Sequence, residues 1–350
     1  MNKVDARAGD MAGPTKPGQF WVNDITEAIG HTPLVRLRRM TERRGVKATV
    51  LVKPEYINPT GSVKDRMAVY ILREAERTGE LKPGGTIVEA SSGNTGAAVA
   101  MYAATHGYKA IITIPDKMSK EKVDTLRALG AEVHICPTAV PAESPESYYE
   151  TGKRIQRETP NSYWVGQYFN LKNIEAHYKL TGPEIWEQTG GHIDVLAGGI
   201  GTGGTISGTA KFLKEQNPAV EVVAADPLGS VYYQYHKDHT LIEPHTYYVE
   251  GIGEDMLCPT IDFSVIDEIY QVSDKQCFLT ARELARTEGV FGGGSSGAAV
   301  YVALEHAKTL DENKIVVVIL PDHGAKYISK IFNDEWMREK GFLEEGEEDY

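Results

Sequence analysis

Short apolar segments alternate with amphipathic helical ones along almost the whole chain, and no other feature restricts the fold as much. From about residue 46, "TVLVK" reads as a strand and leads to a helix beginning near Ser62, the expected N-cap. "TIVEAS" at 86–91 precedes "GAAVAMYAATHG", "KAIITIP" at 109–115 precedes "EKVDTLRALG", and "AEVHIC" follows. The pattern resumes with "IDVLAG" at 193–198, a helix after "GTGGTISG", and "VEVVAAD" at 220–226. The helices "QCFLTARELARTEG" and "SSGAAVYVALEHAKTL" and the strand "KIVVVILP" complete it. Such βα alternation builds parallel sheets with helices on both faces. Two runs of it predict two doubly wound α/β domains, a smaller one over 46–160 and a larger one made of 20–45 plus 161–343. A mobile arm is expected at 1–19 and an acidic tail at 344–350. The Pro- and Ser-rich "PTAVPAESPESYYE" at 137–150 is expected to be a surface excursion between the domains.

Three of the helices start from turns rich in Gly, Ser and Thr: "SSGNTG" at 91–96, "GTGGT" at 201–205 and "GGGSSG" at 292–297. In open α/β sheets a ligand sits outside the carboxyl ends of the strands, where such turns lie. Glycines let backbone N–H groups approach an anion, and the helix N-terminus adds its field. One such turn is explained by tight capping alone; three call for a ligand with several anionic groups. A nucleic acid is not that ligand, because the net charge is −12 and no basic stripe stands out. No membrane span is expected, since the longest strand-like apolar run, "IVVVIL" at 315–320, is far too short. The N-terminal stretch lacks the apolar region of a signal peptide, and a cytoplasmic location is expected. Cys136, Cys258 and Cys277 are far apart and odd in number, which favours buried thiols over a disulfide or metal framework. The histidines, among them His106, His177 and His323, show no metal spacing, so no metal is expected.

Gly199, Gly201 and Gly204, with Asp226 closing the next strand, fit a dinucleotide fingerprint, but that reading leaves the first half of the chain without a role. No turn continues into the Gly-Lys-Ser/Thr of a P-loop. Gly294, Ser296 and Gly297 miss the spacing of a hydrolase elbow. The unexplained residue is Lys64, in "NPTGSVKDRMAVYIL" at 58–72, where it falls in a first helical turn whose dipole disfavours an ammonium. Desolvation and a positive dipole end both lower a lysine's pKa and free its neutral amine as nucleophile and base. A Schiff-base lysine, a phosphate cup and a tuned ring nitrogen are what pyridoxal phosphate requires.

"NPTGSVKDR", "SSGNTG", "GTGGT" and "GGSSG", in this order, resemble the cysteine synthase and cystathionine β-synthase family of fold-type II pyridoxal phosphate enzymes, over roughly residues 22 to 343. The resemblance implies a tryptophan synthase β-like fold, a homodimer, amino acids as small-molecule substrates, and Lys64 as the Schiff-base lysine. It implies that Asn94 bonds the cofactor's ring oxygen, that Gly201, Thr202, Gly203, Gly204 and Thr205 hold the phosphate, and that Ser295 faces the pyridine nitrogen. Ser91, Ser92, Gly93 and Thr95 are then expected on the substrate carboxylate, helped by Gln167 and Tyr168 in "GQYFN". A hydroxyl at Ser295 leaves the ring largely neutral, a weaker electron sink that favours prompt β-elimination, and so β-replacement. "EGIGED" at 250–255, "ADPLGS" at 225–230 and the ending "LPDHGAKYISKIFNDEWMREKGFL" resemble the β-synthase branch. They imply that Glu250, beside Gly251, receives the amino group of homocysteine, against the alternative of a solvated loop carboxylate. Serine or O-acetylserine plus homocysteine giving cystathionine is the expected reaction, with cysteine synthesis from O-acetylserine and sulfide as the alternative. No haem is expected, since the first histidine is His31 and the first cysteine Cys136, and the chain is expected to be a bare catalytic core.

Overall fold

In the computed structural model, residues 21–141 and 143–344 are described. The expected arm, and all but the first residue of the expected tail, lie outside them. Two sheets form. The larger contains β1 (Val35–Arg36), β2 (Thr49–Pro54), β7 (Val195–Gly199), β8 (Glu221–Pro227), β9 (Glu268–Val272) and β10 (Ile315–Leu320), ordered β1-β2-β10-β7-β8-β9. The smaller contains β3 (Thr86–Ala90), β4 (Lys109–Pro115), β5 (Glu132–Cys136) and β6 (Ser162–Trp164), ordered β5-β4-β3-β6. Only the β1–β2 pair is antiparallel.

The uninterrupted apolar run of β10 reflects burial on both faces. Val316, Val318 and Leu320 join one core, with Phe278 and Ala299 of the helices Asp274–Glu288 and Gly294–Ala307. Val317 and Ile319 join the opposite core, with Ile206 and Leu213 of the helix Gly204–Gln216. A third core fills the smaller unit, where Met67, Ile71 and Leu72 meet Ala98, Ile112 and Leu126. Among the described residues, no helix is long and apolar enough to cross a membrane.

Two features differ from the sequence expectation. The strand Thr49–Pro54, placed in the smaller domain, pairs in parallel register with β10, from Thr49 opposite Ile315 to Pro54 opposite Leu320. Alternating apolar residues identify a strand but not its sheet. The stretch 137–150 does not bridge the sheets; it connects β5 to the helix Tyr148–Glu158, which leads to β6 within the smaller one.

The chain therefore passes from the larger sheet to the smaller just after β2, and a buried ionic cluster fixes the passage. Arg66 donates from Nε to Glu55 Oε2 (2.6 Å) and from Nη1 to Glu184 Oε2 (2.8 Å). Lys53 Nζ bonds Glu184 Oε1 at 2.6 Å and the Thr32 carbonyl at 2.9 Å. Asn58 joins the cluster, donating to Glu55 Oε2 at 2.8 Å and accepting from the Gly30 N–H at 2.8 Å. Burial alone would raise Glu184, but Arg66 and Lys53 hold it down at about 2. Removing one member of such a cluster strands the others' charge. Arg66→Met keeps the volume but leaves Glu55 buried without its guanidinium, so a stability loss of about 3–5 kcal/mol is expected in urea unfolding. A loss below about 1 kcal/mol would show that Lys53 and Asn58 suffice.

Candidate active site

Each sheet reverses its strand order once; the larger sheet's reversal opens onto a cleft, and the smaller sheet's is tied to the same end of β10 through Asn94 and Asp322. In the larger sheet the reversal lies between β7 and β10, and the cleft is lined by Gly198 and Gly199 from the end of β7 and by Ile319 and Pro321 at the end of β10. In the smaller sheet it lies between β3 and β6, whose ends carry the loops with Thr95 and Gln167. Ligands of doubly wound sheets bind at such switch points.

Lys64 lines this cleft. The turn ahead of it is tied to the end of β10 by Val63 N–H donating to the Pro321 carbonyl (2.8 Å) and His323 N–H to the Gly61 carbonyl (3.2 Å). The helix Lys64–Thr78 begins at Lys64 itself with Val63 at the cap position, one residue later than expected. Ser62 Oγ still accepts the Lys64 N–H at 3.3 Å, while Asp65 turns back to hold Thr60 N–H at 2.7 Å. Nζ of Lys64 has no hydrogen bond or ion pair among the described residues. Burial holds its amine below the ordinary lysine range, against the fields of Asp322 and Glu254, with Lys122 adding to the depression.

Opposite stands the loop Gly201–Thr205. Its carbonyls face away from the cleft: the Tyr232 hydroxyl donates to Gly201 O (3.0 Å) and Thr260 Oγ1 to Thr202 O (2.5 Å). Gly203 has φ +87°, and a Cβ there would meet the Ile261 backbone at 2.6 Å; a Cβ on Gly204 would meet Asn173 Oδ1 at 2.1 Å. The helix Gly204–Gln216 starts in this loop, so first-turn N–H groups without intrahelical partners lie beside the cleft. Asn173 Nδ2 donates to Thr202 Oγ1 at 3.0 Å, and Thr205 Oγ1 lies 3.1 Å from His177 Nε2. Burial keeps that imidazole neutral, well below the usual histidine range. Ser295 is buried at the start of the helix Gly294–Ala307, and a Cβ on cleft-lining Gly251 would come to 3.9 Å from its Oγ.

On the smaller sheet, Thr95 Oγ1 donates to Gln167 Oε1 (2.6 Å), and Gln167 Nε2 donates to the Ala90 carbonyl (3.1 Å). Ser91 Oγ accepts the N–H groups of Gly93 and Gly96, both at 3.0 Å, and so folds its own loop, with Ser92 half-buried beside it. Tyr168 is buried, its hydroxyl 3.2 Å from that of Tyr148. Asn94 donates to Asp322 Oδ2 (2.8 Å) and accepts from Lys326 Nζ (2.6 Å), bonds that fix its amide and leave one N–H of the pair. Glu250 departs from the alternative of a solvated loop carboxylate: it is buried, clamped by Lys122 Nζ at 2.6 Å and Lys330 Nζ at 2.7 Å.

The model of the pyridoxal-phosphate dependent enzymes matches residues 25–322. The chain belongs to that family. The enclosed amine without a partner, the outward-held carbonyls of the glycine loop and the buried Ser295 fit its cofactor. This family member is 45% identical over 324 residues to the cystathionine β-synthase of Oryctolagus cuniculus, covering 93% of the chain but only 59% of that protein. Cysteine synthase 1 of Emericella nidulans is 40% identical, with 92% of this chain and 88% of that one covered. A crystal structure of an O-acetylserine dependent cystathionine β-synthase from Helicobacter pylori superposes with a TM-score of 0.81 at 35% identity, covering 89% of this chain and 99% of that chain. The fold is therefore the expected tryptophan synthase β-like, type II pyridoxal phosphate fold. The dinucleotide reading falls with that assignment, and Asp226 is fully buried, one oxygen accepting the Tyr233 N–H at 2.9 Å, so its carboxyl is closed off from a ribose.

Sequence reasoning missed the groups whose partners are distant in the chain: Lys122, Asp322, Lys326, Lys330 and the carboxyl of Glu254. It also missed a group away from the cleft, Glu221, Glu268 and His306, whose ligand-type atoms lie within 4.8 Å of one another. The cysteines are buried and free as expected. Glu89, in β3, was missed too. One of its oxygens accepts the Gly166 N–H at 2.7 Å and holds the turn that carries Gln167, while the other is buried without a partner. Burial pushes this carboxyl up to about 8. An unfolded glutamate ionises near the ordinary 4.5, so between there and about 8 the unfolded chain sheds a proton that the folded one keeps. Stability must fall as pH rises across that window. Glu89→Gln should reduce the fall, measured as urea midpoints at about pH 5.5 and about pH 7.5. Asp65, Asp226 and Glu254 are raised in the same sense and add to the slope, while the depressed His177 opposes it. An unaltered slope would mean Glu89 is ionised in the folded state.

Proposed function

We propose that the chain catalyses β-replacement on L-serine, or on O-acetylserine, with L-homocysteine, giving L-cystathionine and water or acetate. The observation that carries the reading is Lys64, an amine without a partner among the described residues, lining one cleft with the glycine loop Gly201–Thr205 at the larger sheet's switch point. Bound pyridoxal phosphate supplies an electron sink for the Cα carbanion of an amino acid. The N–H groups of Gly201, Thr202, Gly203, Gly204 and Thr205 would take its phosphate, Asn94 its ring oxygen and Ser295 its pyridine nitrogen. A hydroxyl donor at that nitrogen, rather than a carboxylate, leaves it uncharged.

Lys64 Nζ, whose proton affinity burial lowers, takes the Cα proton and then holds it as an ammonium beside the leaving group. Hydroxide, a poor leaving group, departs as water once it receives that proton, and acetate leaves without such help. Ser92, Gly93, Thr95 and Gln167 orient the substrate carboxylate, and Tyr168 closes the site beside them. Cysteine synthesis is the second reading, supported by the relative named cysteine synthase 1.

Offered homocysteine and sulfide at equal concentration with serine or O-acetylserine, the purified protein should form cystathionine in excess of cysteine. Cysteine as the main product would favour the second reading. Lys64→Ala should lower either turnover by on the order of a hundredfold or more, the scale of a general acid–base group.

A further inference from the structure

Glu250 cannot readily serve an incoming ammonium, because both of its oxygens are already paired. Lys122 and Lys330 each bring one positive charge to it, so the cluster is net cationic. Four residues on, in the same turn, stands a carboxyl in the opposite condition. Glu254 makes no side-chain hydrogen bond and no ion pair among the described residues.

Its backbone is fixed on both sides. The Gly253 N–H donates to the Ile200 carbonyl at 2.6 Å, the Glu254 N–H to Ser230 Oγ at 3.1 Å, and the Val231 N–H to the Glu254 carbonyl at 3.1 Å. Gly251 and Ile252, just before it, line the cleft with Lys64. The charge of Glu254 reaches Lys64 and the phenols of Tyr148 and Tyr232. Tyr232 bonds the carbonyl of Gly201 in the glycine loop, and Tyr148 bonds Tyr168. Burial pushes Glu254 up to about 8, so it stands as a neutral acid or an anion awaiting a cation. A part-buried carboxyl without a partner is open to a cation that can pair with it.

We propose that Glu254 is a specificity-determining residue that receives the α-ammonium of the thiol substrate, so that the site selects an amino-acid thiol over sulfide or a thiol without an amine. This rests on the β-replacement reading and moves the expected ammonium contact from Glu250 to Glu254. Sulfide has no group for this carboxyl. Homocysteine does, at the end of a chain that lets its sulfur reach the β-carbon above Lys64.

The test compares L-homocysteine with 4-mercaptobutanoate, the same thiol without its ammonium, in the cofactor-loaded enzyme. The wild type should prefer homocysteine in kcat/KM on the order of ten- to a hundredfold, the size of one charge-assisted hydrogen bond. In Glu254→Gln that preference should collapse toward unity, chiefly through KM, whereas Glu254→Asp should recover part of it. A folding defect lowers both thiols together and leaves the ratio intact, so the ratio reports the contact alone. Equal use of both thiols by the wild type, or an unchanged ratio in Glu254→Gln, overturns the assignment. A wild type that makes cysteine and no cystathionine overturns the underlying reading, and with it this one.

Discussion

A guanidinium two residues beyond Lys64 is bonded to Glu55, just after β2, and to Glu184, in the helix Thr181–Gln188, and the cleft amine stands where it does because of that pairing. The helix Lys64–Thr78 packs its apolar face into the smaller unit, yet its first turn is held in the larger one. Arg66 spans that division with its charge fully compensated, which a lysine, lacking the planar fork, would do less well. With the turn at Gly61–Val63 paired to the end of β10, Lys64 is left at the larger sheet's switch point. Burial then lowers its proton affinity, with no special proton acceptor.

The same cleft keeps its carboxylates in unlike states. Glu250 is paired twice and lies below the usual carboxylate range, Asp322 is bonded to Asn94 and Tyr327, and Glu254 is paired with nothing and raised. Each state has a consequence. The first helps tie Lys122 of the smaller unit to Lys330 of the larger, and the second fixes the amide of Asn94. The third leaves a carboxyl available to a ligand, and a titratable group with a displaced pKa beside a cleft is a candidate for substrate contact.

The glycine turns, the lysine after "NPTGSV", and Ser295 were legible because their signals are local: a helix start, a required backbone conformation, a spacing. Gly203 must reach a positive φ beside the Ile261 backbone, and only glycine does that cheaply. What was illegible depended on partners far away in the chain. β2 carries an ordinary alternating pattern, and only its register against Ile315–Leu320 assigns it to the larger sheet. "EGIGED" drew attention to its first glutamate. Nothing local shows that Lys122, 128 residues earlier, already occupies that carboxylate while the second glutamate stays free.

The central claim is that one amine, that of Lys64, carries the cofactor. Reduction of the cofactor-loaded protein with borohydride would make the attachment permanent, and digestion with peptide mass mapping would locate it. The account predicts the cofactor's added mass on the peptide containing Lys64 and on no other. Its appearance on Lys326 or Lys122, the other amines near the cleft, or on no lysine, would contradict the account.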